Sequence, residues 1–317
     1  MVAPRQDIRR KVPLAVIVLT LNEEANLEAC LDSVVDWAGS VLLVDCFSTD
    51  RTLQIASRYP SVHVVQHAFE GYSQQRNWAA DNLPFDTDWV LFLDADERIP
   101  RDLQAEIEQL FAEGIPPDVD GFLVRWRLVF LGRWVRHGYY PTWIMRLYRR
   151  SRGRWSERAN SEFVVVKGKT LRLRHDLIHD NQNGIGAWIE KHNRYASLEV
   201  QEQLQRREKP DVRFRSVFLG PQRDRTRWLR YHVWGRQPLL LRPFLYFTYR
   251  YFFRLGFLDG REGFVFHFLQ ALWYPFLIDV KMLEAKYISG RQPRQAAEAS
   301  PATPAPKQDA GVHGPVH

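Results

Sequence analysis

The sequence predicts an α/β protein: a mostly parallel, helix-flanked sheet followed by a C-terminal helical block of different composition. Three observations predict it. Residues 14–19, 41–44 and 89–93 are apolar without interruption, as parallel strands covered on both faces are. The stretches between them carry apolar residues at helical spacing, so strand and helix alternate. From Pro238 onward the chain becomes aromatic and apolar, with arginines recurring among the rings.

Residues 14–19 read as the first strand, Asn22 as the cap of a helix carrying Leu27, Leu31, Val34 and Val35, and Gly39 as its stop. Residues 41–44 form a second strand ending at Asp45, then Ser48, Thr49 and Asp50 open a second helix, and residues 62–65 supply a third strand. A helix over 72–83 precedes the strand at 89–93, and Pro100 opens another helix whose Leu103, Ile107, Leu110 and Phe111 share a face. Residues 121–130 read as a further strand. Right-handed crossovers bring the carboxyl ends of parallel strands to one edge, so the loops 20–24, 45–50 and 94–97 should meet in one cleft.

The 317 residues, 45% hydrophobic and 26% charged, suit one large domain with an appendage. A net charge of +7 permits nucleic acid, an anionic membrane surface or phosphorylated substrates as partners. Aromatic and basic residues interleave around 126–155, as in single-strand binders, but no nucleic-acid motif is present and nucleic acid is not expected. Cys30 and Cys46 lack metal-ligand spacing and read as buried thiols in a reducing compartment. Residues 1–11 are basic without an apolar core of signal-peptide length, which predicts a cytoplasmic start.

The fourth strand runs directly into Asp94-Ala95-Asp96-Glu97. Carboxylates at a strand's carboxyl end, where open α/β sheets bind ligands, suit Mg2+ or Mn2+ held jointly with substrate phosphates. The alternative is acids that merely cap the helix near Pro100. No Gly-x-Gly-x-x-Gly follows the first strand and no Gly-x-x-x-x-Gly-Lys occurs, which argues against dinucleotide and ATPase loops.

Leu19-Thr20-Leu21-Asn22-Glu23-Glu24, Val44-Asp45 with Ser48-Thr49-Asp50, Gln75-Arg76-Asn77-Trp78-Ala79 and Leu93-Asp94-Ala95-Asp96-Glu97 together resemble family 2 glycosyltransferases of the GT-A fold. Gly132-Arg133-Trp134, Arg136-His137-Gly138, Leu177-Ile178-His179 and His192-Asn193-Arg194-Tyr195 resemble the lipopolysaccharide-core and capsule-type bacterial members, and the likeness covers roughly residues 13 to 285. The resemblance implies a nucleotide-sugar donor, with Thr20, Asn22, Glu23 and Asp45 lining its base and ribose, Asp94 touching ribose, and Asp96 holding Mg2+ or Mn2+. Ser48 and Asp50 join the donor loop; Gln75, Arg76 and Asn77 face the donor. For Asn22 and Ser48, helix capping is the competing role, and for 75–77 a solvated helix face. Phe47 stands where relatives commonly carry glycine. Glu162 is the expected catalytic base of an inverting displacement, with Glu97 or another acid as alternative. His179 is an expected metal or diphosphate ligand, with a structural role as alternative. Arg133, Arg136, Arg146 and Arg149 could grip a diphosphate or be plain basic surface.

Over 242–258, Arg242, Arg250 and Arg254 fall on one side of a helix whose other side is aromatic, a basic amphipathic element. Residues 264–278 are apolar but broken by His267, Gln270 and Pro275, so in-plane or shallow re-entrant helices are expected, with packing as protein core the alternative. The expected organisation is an extension (1–12), a glycosyltransferase domain (13–235, with a nucleotide-sugar half, 13–115, and an acceptor half, 116–235), membrane-associating helices (236–290) and a disordered tail (291–317). These features predict an enzyme of cell-envelope polysaccharide synthesis, peripheral or monotopic on the cytoplasmic face of the bacterial inner membrane. It would add a sugar to a lipid-linked glycan or lipopolysaccharide-core acceptor. Transfer to polyprenyl phosphate and non-catalytic nucleotide-sugar binding are the rivals.

Overall fold

The computed structural model describes residues 11–156, 163–208 and 237–298. β1 (Val12–Thr20), β2 (Ala38–Asp45), β3 (Val62–Gln66) and β4 (Trp89–Asp94) form the parallel half of a nine-stranded sheet. The sheet continues through β5 (Glu97–Arg98), β6 (Val119–Phe130), β7 (Arg133–Trp134), β8 (Thr142–Arg149) and β11 (Lys169–Asp180), in the order β3-β2-β1-β4-β8-β6-β11-β5 with β7 on β6. β8 lies antiparallel between β4 and β6, and β5 antiparallel to β11, so the second half mixes directions. A separate hairpin pairs β9 (Gly153–Trp155) with β10 (Val164–Val166).

Alternation along the strands builds two cores. Val16, Val18, Leu43, Leu91 and Leu93 face one side with Leu27 and Leu31 of α1 (Leu27–Asp32) and Leu103 and Ile107 of α4 (Arg101–Glu113). Ala15, Ile17, Leu42, Val44, Val90 and Phe92 face the other with Ala79 and Ala80 of α3 (Tyr72–Asp81) and with Tyr148 and Trp155. Both faces are thus covered, which is why these strands read as unbroken apolar runs.

Two local expectations fail for identifiable reasons. Asn22 does not cap α1: it takes φ 55°, a turn closed by Asn26 N–H donating to Glu23 O follows, and the helix starts only at Leu27. Gly39 does not stop that helix but lies inside β2, where a Cβ would sit 2.7 Å from the Val12 carbonyl oxygen. Cys30 is buried as expected, whereas Cys46 is only half-buried.

The long α5 (Gly184–Glu208) leads away from β11. After it come α6 (Arg242–Thr248), a π-helical turn (Tyr249–Phe253) and a 3-10 turn (Gly256–Asp259). α7 (Gly260–His267), a π-helical segment (Phe268–Trp273) and α8 (Tyr274–Glu298) then run on without a break. The expected interruptions do not interrupt: Gly256–Ile288, 33 residues, is long and apolar enough to cross a membrane by length and composition. His267 is buried, and its Nε2 lies 3.2 Å from the His137 carbonyl, so this polar side chain points into the protein. Two of the three stripe arginines also turn inward, while Arg254 stays exposed. Arg242 pairs with fully buried Asp279, and buried Arg250 donates to Gly138 O at 3.0 Å, while Phe244, Phe252, Phe253, Phe257 and Leu258 stay exposed. The helix also continues past Gly290 to Glu298, where a tail is expected.

Candidate active site

The parallel strands deliver their loops to one edge, as the topology requires. Asp45, at the end of β2, is fully buried and saturated with donors. Thr20 Oγ1 (3.0 Å) and Ser48 Oγ (2.5 Å) donate to one oxygen, Ser48 N–H (2.9 Å) and Gln66 Nε2 (3.1 Å) to the other. The two loops are laced together: Ser48 Oγ accepts from Asn22 N–H (2.8 Å), Asn22 Oδ1 accepts from Thr49 N–H (2.8 Å), Thr52 Oγ1 accepts from Glu23 N–H (2.8 Å), and Asp50 Oδ2 accepts from Glu24 N–H (3.0 Å). Asp50 Oδ1 also accepts from Thr52 N–H (2.9 Å) at the start of α2 (Thr52–Ala56), although the cap position of that helix is Arg51. Phe47 keeps the positive φ expected of a glycine, at 59°, and stands 55% exposed; a side chain there costs about 1 kcal/mol.

The Gln75-Arg76-Asn77 trio divides. Gln75 faces His67 and Cys46, with Oε1 2.8 Å from His67 Nδ1 and Nε2 3.2 Å from the sulfur. Arg76, buried over the Trp155 ring, donates to Asp94 Oδ1 at 2.7 Å. Asn77 does not face the cleft. Its amide donates to Trp155 O (3.0 Å) and accepts from Trp155 N–H (2.9 Å), clamping β9 like one more strand.

At the end of β4, Arg146 from β8 donates to Asp94 Oδ2 (2.7 Å) and Glu97 Oε1 (2.5 Å), so Asp94 is gripped by two guanidiniums while 30% of its side chain remains open. Burial alone would raise the Asp94 pKa, but Arg146 and Arg76 outweigh it and hold the carboxyl far below its usual range. Glu97, the alternative base, is wholly buried. It also accepts from Trp126 Nε1 (3.0 Å) and, through its second oxygen, from Asp94 N–H (3.1 Å). Burial, partly offset by Arg146 and reinforced by Asp94, pushes it up to about 7. This geometry makes Glu97 a brace for the Asp94 turn.

The pairing of β5 with β11 sets Glu97 opposite His179 and brings the His179 ring to Asp96. His179 Nδ1 lies 3.2 Å from Asp96 Oδ1, and Asn181 Nδ2 donates to Asp96 Oδ2 at 2.7 Å. Against the penalty of burial, His179 holds Asp96 down at about 2, while Asp96 overcomes burial to raise His179. The Nδ1 contact misses hydrogen-bond geometry, which leaves a buried ring nitrogen beside a carboxylate. A divalent ion fits such a pair: the protein would supply Asp96 and His179, and donor phosphates the remaining oxygens. No cluster of three or more His, Cys, Asp or Glu side chains suited to a metal occurs among the described residues, so a cage made by protein alone is absent there.

The other predicted residues are scattered. Arg149 lies opposite Trp89 at the far end of β4 and pairs with Asp88 and Asp120, so it cannot reach the cleft. Arg136 stacks on Trp134 at 4.2 Å and Arg133 approaches Glu262 at 3.6 Å. Glu162 lies outside the described residues. Sequence reasoning missed the turn after β11. Its Asn181 holds Asp96, its Gln182 N–H donates to Asn26 Oδ1 (2.8 Å), and its Asn183 donates to Glu23 (3.1 Å). The run Asn181-Gln182-Asn183 directly after a strand was the available signal.

A helix-flanked sheet whose acids and arginines gather at the strand ends defines a glycosyltransferase with the GT-A fold. The chain belongs to glycosyl transferase family 2, whose model matches residues 15–175. The lipopolysaccharide core biosynthesis glycosyltransferase LpsC of Rhizobium meliloti (strain 1021) is 26% identical over 223 residues, 67% of this chain and 78% of its own. An uncharacterized glycosyltransferase of Rickettsia bellii (strain RML369-C) is 37% identical over 99 residues, 31% of this chain and 33% of its own. Among solved structures, the mannosyltransferase PcManGT from Pyrobaculum calidifontis, in complex with GDP-Man and Mn2+, shares the fold at TM-score 0.50 and 17% identity. The match covers 86% of this chain and 88% of that one.

Proposed function

We propose that this glycosyltransferase moves a sugar from a nucleotide-sugar donor to a lipid-linked glycan or lipopolysaccharide-core acceptor, by an inverting displacement at the cytoplasmic face of the inner membrane. The observation that carries the reading is the grip of Arg76 and Arg146 on Asp94 beside the Asp96–His179 pair, at the sheet edge where α/β folds take nucleotides. The donor class draws support from the GDP-Man complex of PcManGT, and the acceptor class from the name of the LpsC relative.

In the proposed reaction the acceptor hydroxyl oxygen forms a bond to the anomeric carbon as the bond to the diphosphate breaks, and a carboxylate takes the hydroxyl proton. Glu162 remains our choice for that carboxylate. Mg2+ or Mn2+, when bound by Asp96 and His179, would neutralise charge on the leaving diphosphate. The chain's own part is positional. Asp45, held rigid by four donors, and the Asn22–Thr49 lacing fix the base and ribose pocket, while Asp94, fixed by two arginines, presents its carboxylate to the ribose. Exposed rings of α6 and the helix after it would seat the enzyme where a lipid-anchored acceptor resides.

Incubating purified enzyme and labelled donor with lipopolysaccharide-core acceptors and, separately, with polyprenyl phosphate tests the acceptor. Label appearing in the core glycan is the expected result. Label in polyprenyl phosphate alone would overturn the acceptor assignment while leaving the donor reading intact.

A further inference from the structure

The helix α5 joins three parts of the molecule. Just before its start, Asn183 donates to Glu23 of the β1 loop; at its middle, the Tyr195 ring packs 5.6 Å from Tyr72 at the start of α3. It therefore stretches across the cleft from the loop after β1 to the helix that carries Arg76. Its adjoining side packs on the C-terminal helices. Trp188 meets Trp273 at 6.0 Å, His192 meets Tyr274 at 5.1 Å, and Ala196 and Val200 form a buried cluster with Ile278 and Met282. Lys191 lies between the two cleft anchors, its Nζ 5.9 Å from the Tyr195 ring centre.

A cation there faces a cluster rich in acids. Glu23, Asp94, Asp96 and Glu97 place four carboxyls at the strand ends, against the fixed charges of Arg76 and Arg146 and the titratable His179. Both arginines are already committed to carboxylates. An incoming diphosphate adds further negative charge to a site with no surplus cation among these groups. The anchors of α5 at Glu23 and Tyr72 set Lys191 between them, and its ammonium acts on Glu23, Asp94, Asp96 and His179, although burial is the largest influence on each.

We propose that Lys191 is a diphosphate-binding residue, carried over the cleft by α5 so that its ammonium neutralises the leaving group. The inference rests on the nucleotide-sugar reading above. A lysine suits the task because its compact charge on a flexible stem can follow phosphate oxygens as the sugar departs. It also gives α5 a double duty, since the helix that holds the cation is the one packed on the apolar C-terminal helices.

The test is calorimetric titration of UDP, GDP, uridine and guanosine into wild type, Lys191→Met, Lys191→Gln and Lys191→Arg, each in chelator and again with Mn2+. Thermal melts establish that each variant is folded, and two neutral variants are made so that one suffices. The expected result is about tenfold weaker binding of the preferred diphosphate by the neutral variants in chelator, recovery by Lys191→Arg, and unchanged nucleoside binding. A folded neutral variant that binds the diphosphate as wild type does overturns the proposal, because a mere counter-ion for the acids would shift melting without that selectivity. Failure of wild type to bind any nucleoside diphosphate, with or without Mn2+, would instead remove the donor reading and this proposal with it.

Discussion

Asn77 and Asp94 sit at the opposite limits of what a single residue reveals about itself. Asp94 follows an apolar strand, and strand-end placement alone assigns it to the cleft. Asn77 shares a helix with Arg76 and carries an equally polar side chain, yet its amide is spent on the backbone of Trp155, 78 positions away. We predict that Asn77→Ala leaves a buried N–H and C=O without partners and lowers unfolding stability by about 2–4 kcal/mol. Donor affinity should not change. Denaturant melts paired with donor titration check this; intact stability with lost donor affinity would return Asn77 to the donor site. The acids at or just beyond the carboxyl ends of β1, β2 and β4 were legible for the same local reason as Asp94. Asn181 and Asn183 were not, and Arg146 was singled out but not its pairing with Asp94, because contacts across 52 to 160 positions follow from the strand order. Phe47 shows a third case: the backbone keeps a glycine-like φ although the side chain opposes it, so the turn's geometry outweighs the residue's preference.

Elements were legible where one face or one strand register decides them. β1, β2 and β4 declared themselves by unbroken apolar runs, whereas β5, two residues long, exists only because β11 pairs with it. The C-terminal helices were legible by composition, but the inward turn of Arg242 and Arg250 was not, since it depends on Asp279 and the Gly138 carbonyl. At α5, His192 stacks on Trp188 at 3.5 Å with Nδ1 2.8 Å from Trp188 O, and burial pushes its pKa from 6.5 down to about 4. Between those values the unfolded chain binds a proton that the folded chain refuses, so stability contributed by the neutral ring is present above pH 6.5 and is lost as pH falls toward 4. Melting wild type and His192→Phe at pH 7 and pH 5 checks this. The wild type should lose more on acidification, and equal losses would show that the ring does not report the packing of α5 on α8.

At the scale of the whole molecule, an α/β catalytic sheet is joined to an apolar helical surface through α5 and through the loop after β7. In that loop, His137 N–H donates to Asp259 Oδ2 at 2.8 Å and its Nδ1 lies 2.7 Å from Oδ1. Phe253 is 75% exposed, and Phe252, Phe257 and Leu258 are exposed beside it; burying each such ring is worth roughly 1.5–3 kcal/mol. Replacing Phe252, Phe253 and Leu258 together by serine should therefore reduce co-sedimentation with anionic lipid vesicles by more than about tenfold, with activity on soluble donor hydrolysis retained. Unchanged sedimentation would assign that surface to another partner. The central claim is that the carboxylates at the sheet edge handle a nucleotide sugar. Its most direct test is the release of nucleoside diphosphate from a panel of UDP-, GDP-, ADP- and CMP-sugars (the last read as nucleoside monophosphate) by wild type and Asp96→Asn in Mg2+ or Mn2+. The account predicts turnover of a particular donor by wild type and a loss of at least about a hundredfold in the variant. Equal turnover by the two, or binding of no donor in the panel, would contradict it.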